Sequence, residues 1–338
     1  EEDLLGPLVG LRPAIAAAAG LVLLVGVARA GVVARRFTAP IEAVVQESDR
    51  ITRGDLDAGG RIESPFAEIR RLVDAQEHLR EGLAARLRLE KVERDLDIAR
   101  EIQRGLMPTA APAAGGFVVA GWNQPADETG GDYFDWLTLP DGRVLIALAD
   151  ATGHGIGPAL IIAVCRAYLR AAAMVMGTGD ALVQALARVN DLLHADIPSG
   201  TFVTAAIGVL DPAAGELQLL SAGQAPLYFR HADGRLEQWD ADTIPLGVAK
   251  PLPPAEPRTV RFEPGDTLLI TTDGFFEWPS PDGELFGLAR LEALVAAEGG
   301  GEPEAFIARL HAALLAHAGE RPQPDDLTVL IVQRPAGG

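Results

Sequence analysis

Residues 201–222 read TFVTAAIGVLDPAAGELQLLSA. Two apolar, β-branched runs flank DPAAG, whose Asp, Pro and Gly are turn formers, so the segment is expected to fold as a β-hairpin. Further β-type runs lie on either side: FVVAGW at 117–122, RVLIALAD at 143–150, TLLITTD at 267–273 and LTVLIVQ at 327–333. Helical stretches come between them in consecutive pairs, 156–176 with 180–195 and 288–297 with 303–318. Strands joined as hairpins, with helices in pairs, predict an α+β fold of antiparallel sheets rather than a doubly wound parallel sheet.

Working outward, the 338 residues are too many for one small core and fit two or three units. The formal charge of −18 is distributed unevenly: up to Leu106 there are 16 Lys+Arg against 18 Asp+Glu, and beyond it 13 against 29. An acidic chain with no basic face is not a nucleic-acid binder. A surplus of carboxylates in the C-terminal part can hold hard cations or simply face water. Cys165 is the one cysteine, which excludes an internal disulfide, a thiolate zinc site and a paired redox centre.

Residues 13–34, PAIAAAAGLVLLVGVARAGVVA, carry a single charge, Arg29, over a length that matches the ~20 residues of a membrane-spanning helix. Arg35 and Arg36 follow, so the positive-inside rule puts the rest of the chain on the cytoplasmic side of the cell membrane. The chain starts with Glu1 rather than Met, and residues 1–12 read as the end of an upstream extracytoplasmic region. A helix-forming stretch, the connector GDLDAGGRIESPF and a second helix from about Phe66 come next. With Pro40 and Glu68, this arrangement over 35–88 resembles a HAMP domain. Ile69, Leu72, Gln76, Leu79 and Leu83 follow the three-four spacing of a coiled-coil seam. Leu89, Val92, Leu96, Ala99, Gln103 and Leu106 continue it in another phase within a linker at 89–107. A homodimer through these helices is expected. The phase break reads either as a rotation-sensitive linker or as two abutting helices. Pro108 and AAPAAGG then open the last domain, 108–335.

Four acidic motifs stand at the ends of β runs: ETGGDYFD at 128–135, ADATGHG at 149–155, TTDGFFE at 271–277 and PDDLT at 324–328. Any one of them is ordinary turn chemistry. Together they gather carboxylates whose natural compensation is a divalent cation. With no histidine cluster the ligands would be oxygens, which selects Mg2+ or Mn2+ over zinc or copper. A pair of such ions about 4 Å apart activates water and clamps phosphate oxygens.

With LDIAREIQRGLMP, SAGQAPLYF and DDLTVLIV, these motifs resemble the PPM (protein phosphatase 2C-like) serine/threonine phosphatases of the SpoIIE/RsbU type over roughly residues 92–334. The resemblance implies a β-sandwich of two antiparallel sheets flanked by helix pairs, and two divalent cations, Mn2+ or Mg2+. It makes Asp132 the bridging carboxylate, Asp150 with the carbonyl of Ala151 a ligand of one ion, and Asp273 with Asp325 ligands of the other; Asp326 is the alternative to Asp325. His154 would donate to the leaving group or the phosphate, or merely pack its turn. Glu128, Gly131 and Gly274 would support the ligands from behind. The implied substrate is a phosphorylated protein, a phosphoserine on a STAS-type anti-sigma-factor antagonist.

Where the family usually has Asn-Ala-Gly-His, this chain has Ser221, Ala222, Gly223 and Gln224. Two rival readings are a diguanylate cyclase, suggested by GGDYFD but lacking the acidic residue and phenylalanine that should follow GGD, and a catalytically silent phosphoprotein-binding module. The aspartate series argues against both.

Overall fold

In the computed structural model, residues 6–336 apart from 58, 61 and 177–180 are described, with side-chain surroundings from residue 13 onward. The chain divides into two compact units, Glu1–Arg94 and Asp95–Gly338.

The first unit holds helix α1 (Gly6–Thr52) and most of α2 (Ala67–Leu106). The stretch from Pro13 is long and apolar enough to cross a membrane and is uncovered by protein. Its leucines and valines project with no core to enter, which water does not tolerate over such a length. Below it, Phe37 stacks on Phe66 with ring centroids 3.6 Å apart, and Gln76 Nε2 donates to Val44 O and Ser48 Oγ, each at 3.1 Å. Contacts that advance along both helices together make the two run in parallel, which is why a long connector must return the chain between them. Arg80 pins that connector by donating to Leu56 O at 2.5 Å. Gln76, the polar member of the predicted seam, is therefore a bond between α1 and α2. The phase break near Leu83 is not an end of helix: α2 is continuous to Leu106.

The second unit contains ten strands among its described residues. They are β1 (Val118–Gln124), β2 (Asp132–Thr138), β3 (Val144–Ala151), β4 (Val203–Asp211), β5 (Glu216–Ala222), β6 (Leu227–Arg230), β7 (Leu236–Trp239), β8 (Arg258–Arg261), β9 (Thr267–Thr271) and β10 (Leu327–Gln333). One sheet has the order β1-β10-β9-β6-β7 and the other β2-β3-β4-β5-β8, with every neighbouring pair antiparallel. Helices α3 (Ile156–Met174) and α4 (Ala181–Asp196) cover one sheet. The short α5 (Gly274–Glu277), α6 (Leu288–Glu298) and α7 (Pro303–Ala318) cover the other. The expected α+β sandwich is thus present as four layers.

The alternation in β3 shows how the layers form. Val144, Ile146 and Leu148 enter the core between the sheets, with Phe229, Ile270 and Leu330 from the opposite sheet. Leu145, Ala147 and Ala149 face α3 and α4, where Ile162, Leu169 and Leu186 meet them. A strand buried on both faces must be apolar at every position, so VLIALA reads as an unbroken run. The 201–222 hairpin pairs Asp211 with Glu216, and the Asp211 carboxylate accepts the N–H groups of Ala213 and Ala214, each at 3.0 Å. On the helix-facing side of β2, Asp135 is fully buried and receives Arg170 of α3 through two bonds of 2.6 and 2.7 Å. Cys165, also on α3, is fully buried, and burial pushes its thiol up to about 12.

Candidate active site

Five aspartates from four segments converge at one end of the sandwich. Asp132 opens β2 and Asp150 lies near the end of β3, directly opposite each other in the strand register. Asp273 follows β9, and Asp325 and Asp326 precede β10. Antiparallel pairing accounts for the gathering, because strand starts and strand ends fall at the same edge.

The two adjacent aspartates stand in different surroundings. Asp326 is buried, with its Oδ1 accepting the N–H of Ala126 at 2.7 Å and its Oδ2 the N–H groups of Gly131 at 2.5 Å and Asp132 at 3.3 Å. Both oxygens are spent on backbone. Asp325 is half-buried, and among the described residues its carboxylate accepts only the N–H of Asp326, through Oδ1 at 2.8 Å.

Asp132 is held from the opposite sheet. Thr272 Oγ1 donates to Asp132 Oδ2 at 2.8 Å and accepts the N–H of Thr328 at 3.0 Å, so one hydroxyl ties β2 to the start of β10. Glycine is required at two nearby positions by close approach. A Cβ on Gly131 would lie 2.7 Å from the carbonyl oxygen of Ala151 and 2.9 Å from that of Gly153. On Gly274 it would lie 2.2 Å from Asp326 O.

The acids raise one another. Burial, then the charges of Asp150 and Asp326, hold Asp132 well above the ordinary carboxylate range, against the hydrogen bonds of Thr328 and Thr272. Burial, then Asp273 and Asp325, push Asp150 to about 8. Burial, then Asp325 and Glu277, push Asp273 to about 6. Each is displaced chiefly by burial and by other carboxylates, a cluster short of positive charge. Among the described residues no three acidic, histidine or cysteine side chains already encage one point. The donor set nonetheless fits a hard divalent cation: all oxygen, acidic, partly buried and repulsive until a cation is supplied.

His154 sits on the exposed rim, its Nδ1 2.6 Å from Asp127 Oδ2. The Asp127 carboxylate, by hydrogen bond and by charge, raises the imidazole above its ordinary range. Ala151 is fully buried, and its N–H donates to Gly131 O at 3.0 Å. Glu128 is exposed; its carbonyl is engaged by Arg100 Nε at 3.0 Å, while its carboxylate meets no partner among the described residues.

Gln224 has a structural explanation. It is buried, with its Oε1 accepting Thr204 Oγ1 from β4 and its Nε2 donating to Thr271 O of β9, both at 2.8 Å. One neutral amide thereby bridges the two sheets beside the aspartates, donating on one side and accepting on the other. Thr272, Asp127 and the bonding role of Gln103 were not singled out from the sequence; TTDG and the family entry helix contain two of them, but nothing local marks their partners.

A family model described as Stage II sporulation protein E (SpoIIE) matches residues 140–335. The chain is 24% identical over 349 residues to Protein IcfG of Synechocystis sp. (strain ATCC 27184 / PCC 6803 / Kazusa), covering 93% of this chain and 54% of that protein. It is 22% identical over 197 residues to Phosphoserine phosphatase RsbU of Bacillus subtilis (strain 168), covering 58% of this chain and 57% of that one. The chain thus spans about half the length of the curated relatives it matches. Among solved structures, the SiaA-PP2C domain of Pseudomonas aeruginosa superposes with a TM-score of 0.63 at 24% identity, over 72% of this chain and 98% of that one. That likeness is one of fold.

Proposed function

Because the chain belongs to the SpoIIE family, we propose that residues 108–335 are a metal-dependent protein serine/threonine phosphatase acting on phosphoserine. The observation that carries this reading is the aspartate cluster, in which Asp132, Asp150 and Asp273 are raised by burial and by neighbouring carboxylates. Asp132, Asp150, the carbonyl of Ala151, Asp273 and Asp325 would hold two divalent cations, Mn2+ or Mg2+. When bound, such ions lower the pKa of water and neutralise phosphate oxygens.

The protein's own groups supply the arrangement. Asp325, rather than Asp326, would be the ligand of that pair, a reading supported by the commitment of both Asp326 oxygens to N–H groups. Thr272 holds the Asp132 carboxylate in place by a hydrogen bond. His154, kept protonated to higher pH by Asp127, would meet the phosphate or give a proton to the departing seryl oxygen, a role its exposed position supports. Gly131 and Gly274 let backbone pass behind the carboxylates at distances no side chain permits.

Phosphoserine as the target is supported by the printed name of the B. subtilis relative; a STAS-type anti-sigma-factor antagonist as the phosphoprotein is proposed on the resemblance of the motifs alone. The parallel helices of the first unit support a HAMP domain. Below a single membrane span it would join two copies through α1 and α2, with the phosphatase in the cytoplasm.

The test is Mn2+-dependent phosphate release from a phosphoserine protein by the full chain, beside Asp132→Asn and Asp273→Asn. Activity abolished by both substitutions is the expected result. Mn2+ binding without turnover on several phosphoproteins would sink the enzyme assignment in favour of a silent binding module.

A further inference from the structure

Residues 95–106 of α2 belong to the second unit and grip its 128–130 loop through the side chains of Gln103 and Arg100. Gln103 is half-buried; its Nε2 donates to Gly130 O at 2.6 Å, and its Oε1 accepts the Gly130 N–H at 3.0 Å. Both backbone groups of a buried glycine are thereby satisfied by one side chain, as a neighbouring strand would satisfy them. Arg100, one turn earlier, holds the carbonyl of Glu128. The next residue along the loop is Gly131, whose N–H goes to Asp326 and whose carbonyl accepts the N–H of Ala151. Asp132 follows. The path from helix to central carboxylate is two residues of backbone.

Resting on the metal-dependent reading above, we infer that Gln103 is a positioning residue: through the Gly130 backbone it holds the 128–132 loop so that Asp132 and Asp150 can accept a divalent cation. The side-chain chemistry is restrictive. Glutamate would set a second acceptor against Gly130 O, asparagine is one methylene short, and an apolar residue leaves a buried N–H and C=O unpaired. The same helical face carries Leu96, Ala99 and Leu106, all half-buried, whereas Ile98 and Ile102 are exposed at 50% and 61%. The predicted second seam is thus partly spent on the chain's own catalytic unit. A shift of one residue in helix phase, about 100°, carries Gln103 off Gly130, so the rotation of α2 is read directly at the loop.

The experiment compares the full chain in detergent with Gln103→Met and, as a control on the exposed face, Ile102→Ala. Amide hydrogen exchange is followed by peptide, and Mn2+ binding by calorimetry. Loss of two ordinary hydrogen bonds is expected to speed exchange in 128–132 on the order of tenfold and to weaken Mn2+ binding about as much. Protection in β9 and β10 should stay parental, and Ile102→Ala should match the parent throughout. Parental exchange and parental Mn2+ affinity in Gln103→Met overturn the inference. So does loss of protection spread through β9 and β10, which marks a merely structural residue. A parent chain that binds no Mn2+ overturns the metal reading itself, a failure visible without any variant, and the exchange contrast then still decides whether the helix holds the loop.

Discussion

The turn at 325–327 and the turn at 153–155 both display a motif residue at the site, but they are built in opposite ways. Asp326 is buried and bonded to three N–H groups from another segment, while His154 is exposed and leans on one carboxylate. The first turn is part of the frame and shapes the site by locking strands together. The second is an exposed turn whose histidine is raised by a neighbouring carboxylate. Neighbouring motif letters can therefore have unrelated physical duties, and Asp325 beside Asp326 is the sharpest instance.

That contrast breaks most easily at Asp326. Asp326→Ala should cost about 3 kcal/mol, since charged acceptors of buried N–H groups are the expensive ones to remove. Asp325→Ala should change stability by no more than about 0.5 kcal/mol, because it removes a repulsion along with one local bond. Chemical denaturation of the metal-free chain measures both; equal losses would mean that the two acids share one role. Gly131→Ala comes next, at about 2 kcal/mol, from a Cβ forced against two carbonyl oxygens. Its unfolding curve should shift while Gly157→Ala, where nothing lies within 4 Å, leaves the midpoint unchanged or higher.

Without divalent cations the frame should also be sensitive to pH. Asp150 and Asp273 titrate at about 8 and about 6, above their unfolded range, so the folded state binds protons that the unfolded chain has released. Stability then falls as pH rises from about 4 to about 8, and Mn2+ should flatten the curve. A metal-free chain as stable at pH 8.5 as at pH 5 would show that the acids do not repel. The smallest effect belongs to the rim. Asp127→Asn should lower the His154 titration midpoint toward the ordinary imidazole range with no change in unfolding, as read by NMR. In the parent, the pair contributes fully below the unfolded histidine pKa and is lost as pH rises through the raised one. An unmoved midpoint would detach Asp127 from His154.

Long apolar elements were legible because periodicity and composition are local properties. The runs at 216–222 and 327–333 and the helix at 303–318 fall on β5, β10 and α7 with the same boundaries. The four-residue strands β6, β7 and β8 were not, since so short a run is decided by the neighbour it pairs with. The carboxylates could be found as motifs, yet their supports could not. Thr272 is 140 residues from Asp132 in sequence, and Asp326 is 195 from Gly131. Whether an aspartate points at a cation or at backbone is set by which N–H groups the fold brings to it. Gln224 makes the same point: the sequence marks a departure from the family pattern, and only the two sheets explain it.

The buried Cys165 has a practical consequence. Its thiol, fully enclosed and shifted to about 12, is almost entirely unionised at neutral pH and out of reach of reagents. The chain is therefore already a blank background for single-site chemistry. A cysteine introduced at Ile98 or Ile102 on the exposed face of α2 would be the reactive thiol, and a spin label or fluorophore attached there would follow the helix without removal of any native residue.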